Sequence, residues 1–161
     1  MEERPQFIAH WSQLEEGMTA DYPDADEEFA HEAQLARKLG LQRIGIHHVR
    51  VPPGRRISYP HAESAEEEFV FVIEGNPDAW IDGKLYRLNP GDSVAFPAGT
   101  GIVHTFLNDT DEEARLLVVG ERNKPDNRRY FPLNPGFEPS EQWKDAPRRE
   151  LGAHDGRPRK Q

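Results

Sequence analysis

The sequence predicts an all-β domain, an antiparallel sandwich or barrel. Between residues 41 and 121, short runs rich in Val, Ile and aromatic side chains alternate with turn signals at close intervals. The chain holds 14 prolines and 13 glycines, turn-former counts that disfavour a helix bundle. Its 161 residues suffice for one full core and are too few for two ordinary domains.

Residues 1–40 form an acidic N-terminal extension. Within it, residues 24–39 read as a helix: acids cluster in the first turn, Arg37 and Lys38 close the last, and Gly40 stops it. Phe29, Ala33, Ala36 and Leu39 fall near one face, which predicts that this helix lies on the main domain. The barrel is expected over residues 41–121. Its first strand, residues 43–51, ends at Pro52-Pro53-Gly54. A second follows at Glu68–Glu74. Residues 79–81 and 84–86 flank Asp82-Gly83, the dipeptide a type I′ hairpin turn prefers, with Trp80 and Tyr86 expected to face each other. After the turn Asn89-Pro90-Gly91-Asp92 come strands at Ser93–Phe96, 102–107 and 114–119. Residues 122–161 are Pro-rich. Tyr130, Phe131, Phe137 and Trp143 predict an irregular strap over 122–145 that packs its rings on the barrel, with a loose basic end from about Pro147.

Composition narrows the function. A net charge of −9 repels phosphate backbones, and no basic stretch or helix-turn-helix accompanies the barrel, so no nucleic-acid partner is expected. The absence of cysteine excludes disulfides, thiolate metal sites and a cysteine nucleophile. No apolar run approaches the roughly 20 residues of a membrane helix, and the N-terminus lacks a signal-peptide pattern. The expectation is a soluble cytoplasmic protein that does not engage a membrane.

The chemistry concentrates in residues 54–75 and 91–108. His61 and Glu63 are two apart, so an extended chain points them the same way. Glu68 leads a strand in which Val70 and Val72 share its side, and a buried acid needs a partner. A register slip would make Glu67 the inward carboxylate instead. His104 is in phase with Ile102 and Phe106. Imidazole and carboxylate converging in a small barrel are ligands for a divalent metal.

The two stretches resemble the paired motifs of the cupin superfamily. In the first, Gly54, His61, Glu68 and Gly75 fall at the family positions. In the second they are Gly91, Pro97, Gly99, His104 and Asn108, with two extra residues between Gly99 and His104. The resemblance, over about residues 40–120, implies a double-stranded β-helix or jelly-roll barrel like the small single-domain cupins, most of which lack an assigned reaction. It also implies a divalent metal (Fe, Mn or Zn) held by His61, Glu63, Glu68 and His104.

Glu63 departs from the family, which places a second His there. Either Glu63 ligates, or His61, Glu68 and His104 form a two-His-one-carboxylate face, or the pocket holds no metal. Without metal, Glu63 and Glu68 would be close like charges, and one should hold a proton. His47 and His48 sit on opposite sides of their strand. One could line the pocket, although a strand edge or dimer surface is the more ordinary place for either. Arg50, Arg55 and Arg56 could attract an anion but read more simply as solvated charges, as do Glu66 and Glu67. Asn108 is expected to bond backbone. The function expected is a metal-binding cupin that binds or transforms a small organic molecule, by dioxygenase- or isomerase-like chemistry. The alternatives are a non-catalytic binding barrel and a metal-free isomerase or epimerase, which would need an acid–base pair in the pocket. The resemblance also implies a homodimer.

Overall fold

The computed structural model describes residues 1–17, 22–137 and 141–160. Residues 138–140 of the expected strap lie outside them. A single 3₁₀ turn at Trp11–Gln13 opens the ordered chain. There follow β1 (Glu15–Gly17), β2 (His31–Gln34), α1 (Leu35–Lys38), β3 (Ile44–Val51), β4 (Ala62–Glu63), β5 (Glu68–Glu74), β6 (Asp78–Ile81), β7 (Lys84–Arg87), β8 (Ser93–Phe96), β9 (His104–Leu107), β10 (Ala114–Glu121) and β11 (Arg129–Tyr130).

The strands form a six-stranded sheet in the order β1-β2-β3-β10-β5-β8, a three-stranded sheet β7-β6-β9 and the short pair β11-β4, every pairing antiparallel. Order 3-10-5-8 is a crossing pattern, not a meander, and it produces a jelly roll in which both sheets press one core. Val49, Val51, Val70, Val72 and Leu116 from the large sheet meet Ala79 and Phe106 from the small one, with Ile57, Leu88 and Phe96 filling between. A second cluster lies behind the small sheet: Trp80, Val103 and Leu107 pack with Ala62, Tyr130 and Trp143. Thus the rings of the C-terminal segment cover a face that the sheet would otherwise expose.

Asp82 and Gly83 both have positive φ, at 46° and 83°, as the β6–β7 type I′ turn requires. Glycine at 83 has a second cause. A Cβ there would stand 2.3 Å from the backbone nitrogen of Gly152. The close approach lets Gly152 N–H donate to the Asp82 carbonyl at 2.7 Å and His154 N–H to the Gly83 carbonyl at 3.2 Å. Trp80 Nε1 donates to the His154 carbonyl at 2.9 Å. The end of the chain, expected to be loose, is therefore stitched along the barrel. Its basic composition had no bearing on these backbone bonds. Within the hairpin, Trp80 pairs with Leu85 and Tyr86 with Ala79, one residue from the expected pairing. Tyr86 is consequently exposed while Trp80 is fully buried. Asn108 bonds backbone as its strand-end position suggested, donating to the Val51 and Glu112 carbonyls at 2.8 Å each.

The largest difference from expectation lies at residues 24–39. Only Leu35–Lys38 are helical, and the preceding His31–Gln34 form a strand paired between β1 and β3. Phe29, Ala33 and Ala36 are buried all the same. Intrinsic helix preference is a weak prior, and β3 offered an unpaired edge that this segment fills.

Arg56 corrects the reading of a solvated arginine cluster. Its side chain is 1% exposed. It forms a bidentate ion pair with Glu27 of the N-terminal extension and donates to the Gly156 carbonyl at 2.9 Å. The Phe29 and Tyr59 rings flank its guanidinium at 5.7 and 5.1 Å. Arg55 pairs with Glu28, and Arg50 with Glu15 and Glu113. Among the described residues, no helix is long and apolar enough to cross a membrane.

Removing one partner of a buried pair leaves an uncompensated charge, which costs about 3–5 kcal/mol. Glu27→Ala is expected to lower stability by that amount, read as a shift in the urea midpoint. An unchanged midpoint would mean that solvent, not Glu27, compensates Arg56.

Candidate functional site

His61 and His104 are brought together by backbone. His61 N–H donates to the His104 carbonyl at 3.1 Å and His104 N–H returns to the His61 carbonyl at 2.9 Å. Residues paired in this way put their side chains on one face, and the ring centroids stand 5.3 Å apart. Each ring spends its Nδ1–H on a carbonyl two residues earlier, His61 on Tyr59 at 2.8 Å and His104 on Ile102 at 3.1 Å. Both imidazoles therefore present Nε2 with a free lone pair. Phe96 stacks on His104, centroids 3.5 Å apart and planes 5° from parallel. Phe131 from the C-terminal segment lies 5.3 Å from His61.

Glu68 is the inward carboxylate, on the side of β5 that buries Val70 and Val72, while Glu67 is exposed. His104 Nε2 is buried and makes no aligned hydrogen bond, although Glu68 Oε1 lies 3.3 Å away. Burial pushes the Glu68 carboxyl up, but the His104 and His61 rings prevail and hold it below the usual range. Burial likewise pushes His61 down, and the Glu63 and Glu68 carboxylates reverse this to raise it.

Glu63 stands on β4 opposite Arg129 of β11. Its Oε1 is 3.7 Å from His61 Nε2, and its Oε2 accepts from Asn127 Nδ2 at 2.9 Å. Against the cost of burial, His61 and Asn127 hold its pKa down to about 2. Burial and the neighbouring Glu63 push Glu66 up to about 7. The carboxyl raised in this group is thus Glu66, which is half-buried and not a solvated charge, while Glu63 and Glu68 are both held down. Glu66 lies beside Glu63 in a cleft that also takes in His47 and Glu68, and burial there favours the neutral form.

These groups open on a cavity of about 290 Å³ lined by His61, Glu68, His104, Glu32, His47 and Arg129, among others. His47 belongs here and not at a strand edge or dimer surface. It shares its side of β3 with Val49 and Val51, a parity visible in the sequence. Its Nδ1 bonds Glu32 Oε2 at 2.7 Å, and Glu32 Oε1 accepts from Gln34 at 2.8 Å. Glu32 stays ionised: burial works against it, and the bonds from His47 and Gln34 prevail. His48 points the opposite way. It stacks on Trp11 at 4.3 Å and accepts from Arg115, and burial together with that arginine pushes its pKa down. Arg50 also faces away. Glu32 and Arg129 come from outside the barrel segment, and no local pattern announced either as a site residue.

Among the described residues, no three His, Asp or Glu side chains already stand close enough together to hold a metal ion. The donor chemistry nonetheless fits one. Two imidazoles offer Nε2, one of them a buried atom without a hydrogen-bond partner, and two carboxylates held below their usual range adjoin them.

Residues 47–120 match the family model of the cupin domain. The chain is similar in structure to a sugar phosphate isomerase from a cupin superfamily of Silicibacter pomeroyi, at 37% identity and a TM-score of 0.61, covering 63% of this chain and 64% of that one. It is 38% identical over 65 residues to the polyketide synthase CurC of Streptomyces cyaneus, 40% of each chain. The polyketide cyclase RemF of Streptomyces resistomycificus matches over 88% of this chain and 89% of its own, with a TM-score of 0.58; at 20% identity that likeness is one of fold. The chain thus spans two fifths of the curated relative and just under two thirds of the isomerase.

The stack on Phe96 sets the orientation of the His104 ring. Phe96→Ala is expected to cost about 3–5 kcal/mol as a core truncation. It should also move the His104 ring proton resonances downfield as the ring-current shielding is lost. Unmoved resonances would mean that the two rings do not stack in solution.

Proposed function

We propose, on the premise that residues 47–120 are a domain of the cupin superfamily, that this chain is a metal-dependent enzyme acting on a small carbonyl compound in the barrel cavity. The observation that carries the proposal is the paired imidazoles, each fixed through Nδ1, with Nε2 of His104 beside Glu68 and Nε2 of His61 beside Glu63. His61, Glu68 and His104 would hold the cation, with Glu63 as fourth ligand; Fe, Mn or Zn suits such a nitrogen–oxygen set. When bound there, the metal supplies Lewis-acid polarisation of a substrate oxygen. The chain's own groups do the rest. Asn127 fixes the Glu63 carboxylate, and Phe96 and Phe131 hold the rings and exclude water. Arg129 brings a cation to the cavity wall, which suits a substrate carrying an anionic group. The two relatives of higher identity are named as a sugar phosphate isomerase and a polyketide synthase, names that both imply oxygen-rich carbonyl compounds. We further propose a homodimer, because Ile44 and Phe69 leave an apolar groove exposed on the large sheet.

Binding only the folded chain, a metal at 100 times its dissociation constant adds about 2.7 kcal/mol of stability. Titration with Mn(II), Fe(II) or Zn(II) is expected to raise the melting temperature, and chelation to reverse it. His104→Ala should lose the metal and keep the fold, Glu63→Gln should weaken binding, and Glu63→His should retain it. Equal affinity in wild type and both Glu63 variants would remove Glu63 from the ligand set. For the reaction, fructose 6-phosphate, ribulose 5-phosphate and acetylacetone in D₂O are the probes. Exchange of hydrogen beside the carbonyl faster than in the enzyme-free control, followed by proton NMR, is the expected signal for at least one, and no acceleration for any of the three would sink the carbonyl reading. Light scattering at the 18.4 kDa monomer mass would sink the dimer.

A further inference from the structure

We infer that Glu32 and His47 are the proton-transferring pair of this cavity, with His47 Nε2 as the catalytic base and Glu32 as its positioning residue. The inference rests on the carbonyl reading above and supplies the group that moves the proton. Glu32 arrives on β2, a strand contributed by the N-terminal extension and paired with both β1 and β3. The register pairs Gln34 with His47 and Glu32 with Val49, so Glu32 stands one step along from His47 on the inward side. Glu32 is 8% exposed and its carboxylate is fully engaged, with Oε2 on His47 Nδ1 and Oε1 on Gln34. A buried carboxylate that accepts from Nδ1–H fixes the neutral ring in the tautomer whose lone pair lies on Nε2. It also stabilises the imidazolium formed when that lone pair takes a proton.

Three features distinguish His47 from the other cavity imidazoles. His61 and His104 lean on backbone carbonyls; His47 alone of the three leans on a carboxylate. Its side chain is 31% exposed, against 14% and 5% for His61 and His104, so it is the ring that solvent and substrate reach. Its Nε2 also has room. Residue 45 lies on the same side of β3, and a Cβ there would stand 3.2 Å from that nitrogen; residue 45 is glycine. A histidine kept only to tie β2 to β3 would need no such clearance.

In the step assigned to this pair, His47 Nε2 takes the proton from the carbon beside the substrate carbonyl. The C–H electron pair becomes the carbon–carbon double bond, and the carbonyl π pair moves onto oxygen as the enolate. The imidazolium, held by Glu32, returns its proton to carbon or exchanges it with solvent. No redox partner is required.

The test uses the metal-loaded full chain with the three probes in D₂O. His47→Gln is expected to slow exchange by about 10²–10⁴-fold in kcat, with KM and bound metal unchanged. Added imidazole should restore part of the rate to His47→Ala. Glu32→Gln should lower kcat with KM unchanged, and Glu32→Asp should recover part of the loss. If His47→Gln does not fold, His47→Asn carries the same comparison. Exchange at the wild-type rate in the folded His47 variants overturns the pair while the carbonyl reading stands. Lost metal or a raised KM at unchanged kcat overturns it too, because the pair would then be structural. A wild-type enzyme that exchanges none of the three probes overturns the carbonyl reading and the pair with it.

Discussion

A guanidinium in an apolar interior must be compensated where it stands, because separating it from water costs several kcal/mol. Arg56 imposes that condition on this chain. Neither barrel sheet answers it. The N-terminal extension supplies Glu27 and the C-terminal end supplies the Gly156 carbonyl, while Phe29 and Tyr59 close over the charge. One buried cation therefore ties both extensions to the strand-rich centre. The rest of the wrapping follows the same course, with Ala30 N–H donating to the Arg56 carbonyl and the 152–156 segment running along β6 and β7.

That wrapping determines what the cavity contains. The barrel strands contribute His61, Glu68 and His104, whose relative positions follow from one reciprocal backbone bridge and the start of β5. The extensions contribute Glu32 through β2, and Arg129 and Phe131 from β11 and the segment after it. A barrel without its extensions would keep the paired imidazoles and lose both the carboxylate behind His47 and the cation on the wall. The acidity of the chain has a local counterpart. Glu63, Glu66 and Glu68 crowd together beside the site, and the two next to imidazoles are held below the usual carboxylate range while Glu66 is pushed up to about 7.

Much of the barrel was legible because its signals are local. The Asp82-Gly83 turn, the alternation that turns Glu68 inward with Val70 and Val72, and the backbone-bonding role of Asn108 each depend on a few adjacent residues. The errors have a common origin as well. Residues 24–39 carry a helical pattern, but an open edge on β3 drew His31–Gln34 into the sheet. Arg56 looked like one of several surface charges, and only Glu27 and Gly156, distant in sequence, make its burial tolerable. The Trp80–Tyr86 pairing is a separate case: the two-residue Asp82-Gly83 turn sets Ile81 against Lys84, and so Trp80 against Leu85 and Tyr86 against Ala79.

The sequence by itself determined the class of fold, the strands and turns of its centre, and the residue types able to bind metal at His61, Glu68 and His104. Period-two burial and turn chemistry operate over two to four residues, so a linear reading captures them. Only the tertiary structure decided that His47 faces the cavity with Glu32 behind it, that Glu66 and not Glu68 is the carboxyl pushed up, and that Arg129 reaches the wall. Each of these rests on packing of the extensions against the barrel. Burial, and with it the cost of a charge, is a property of the assembled interior that no segment carries alone.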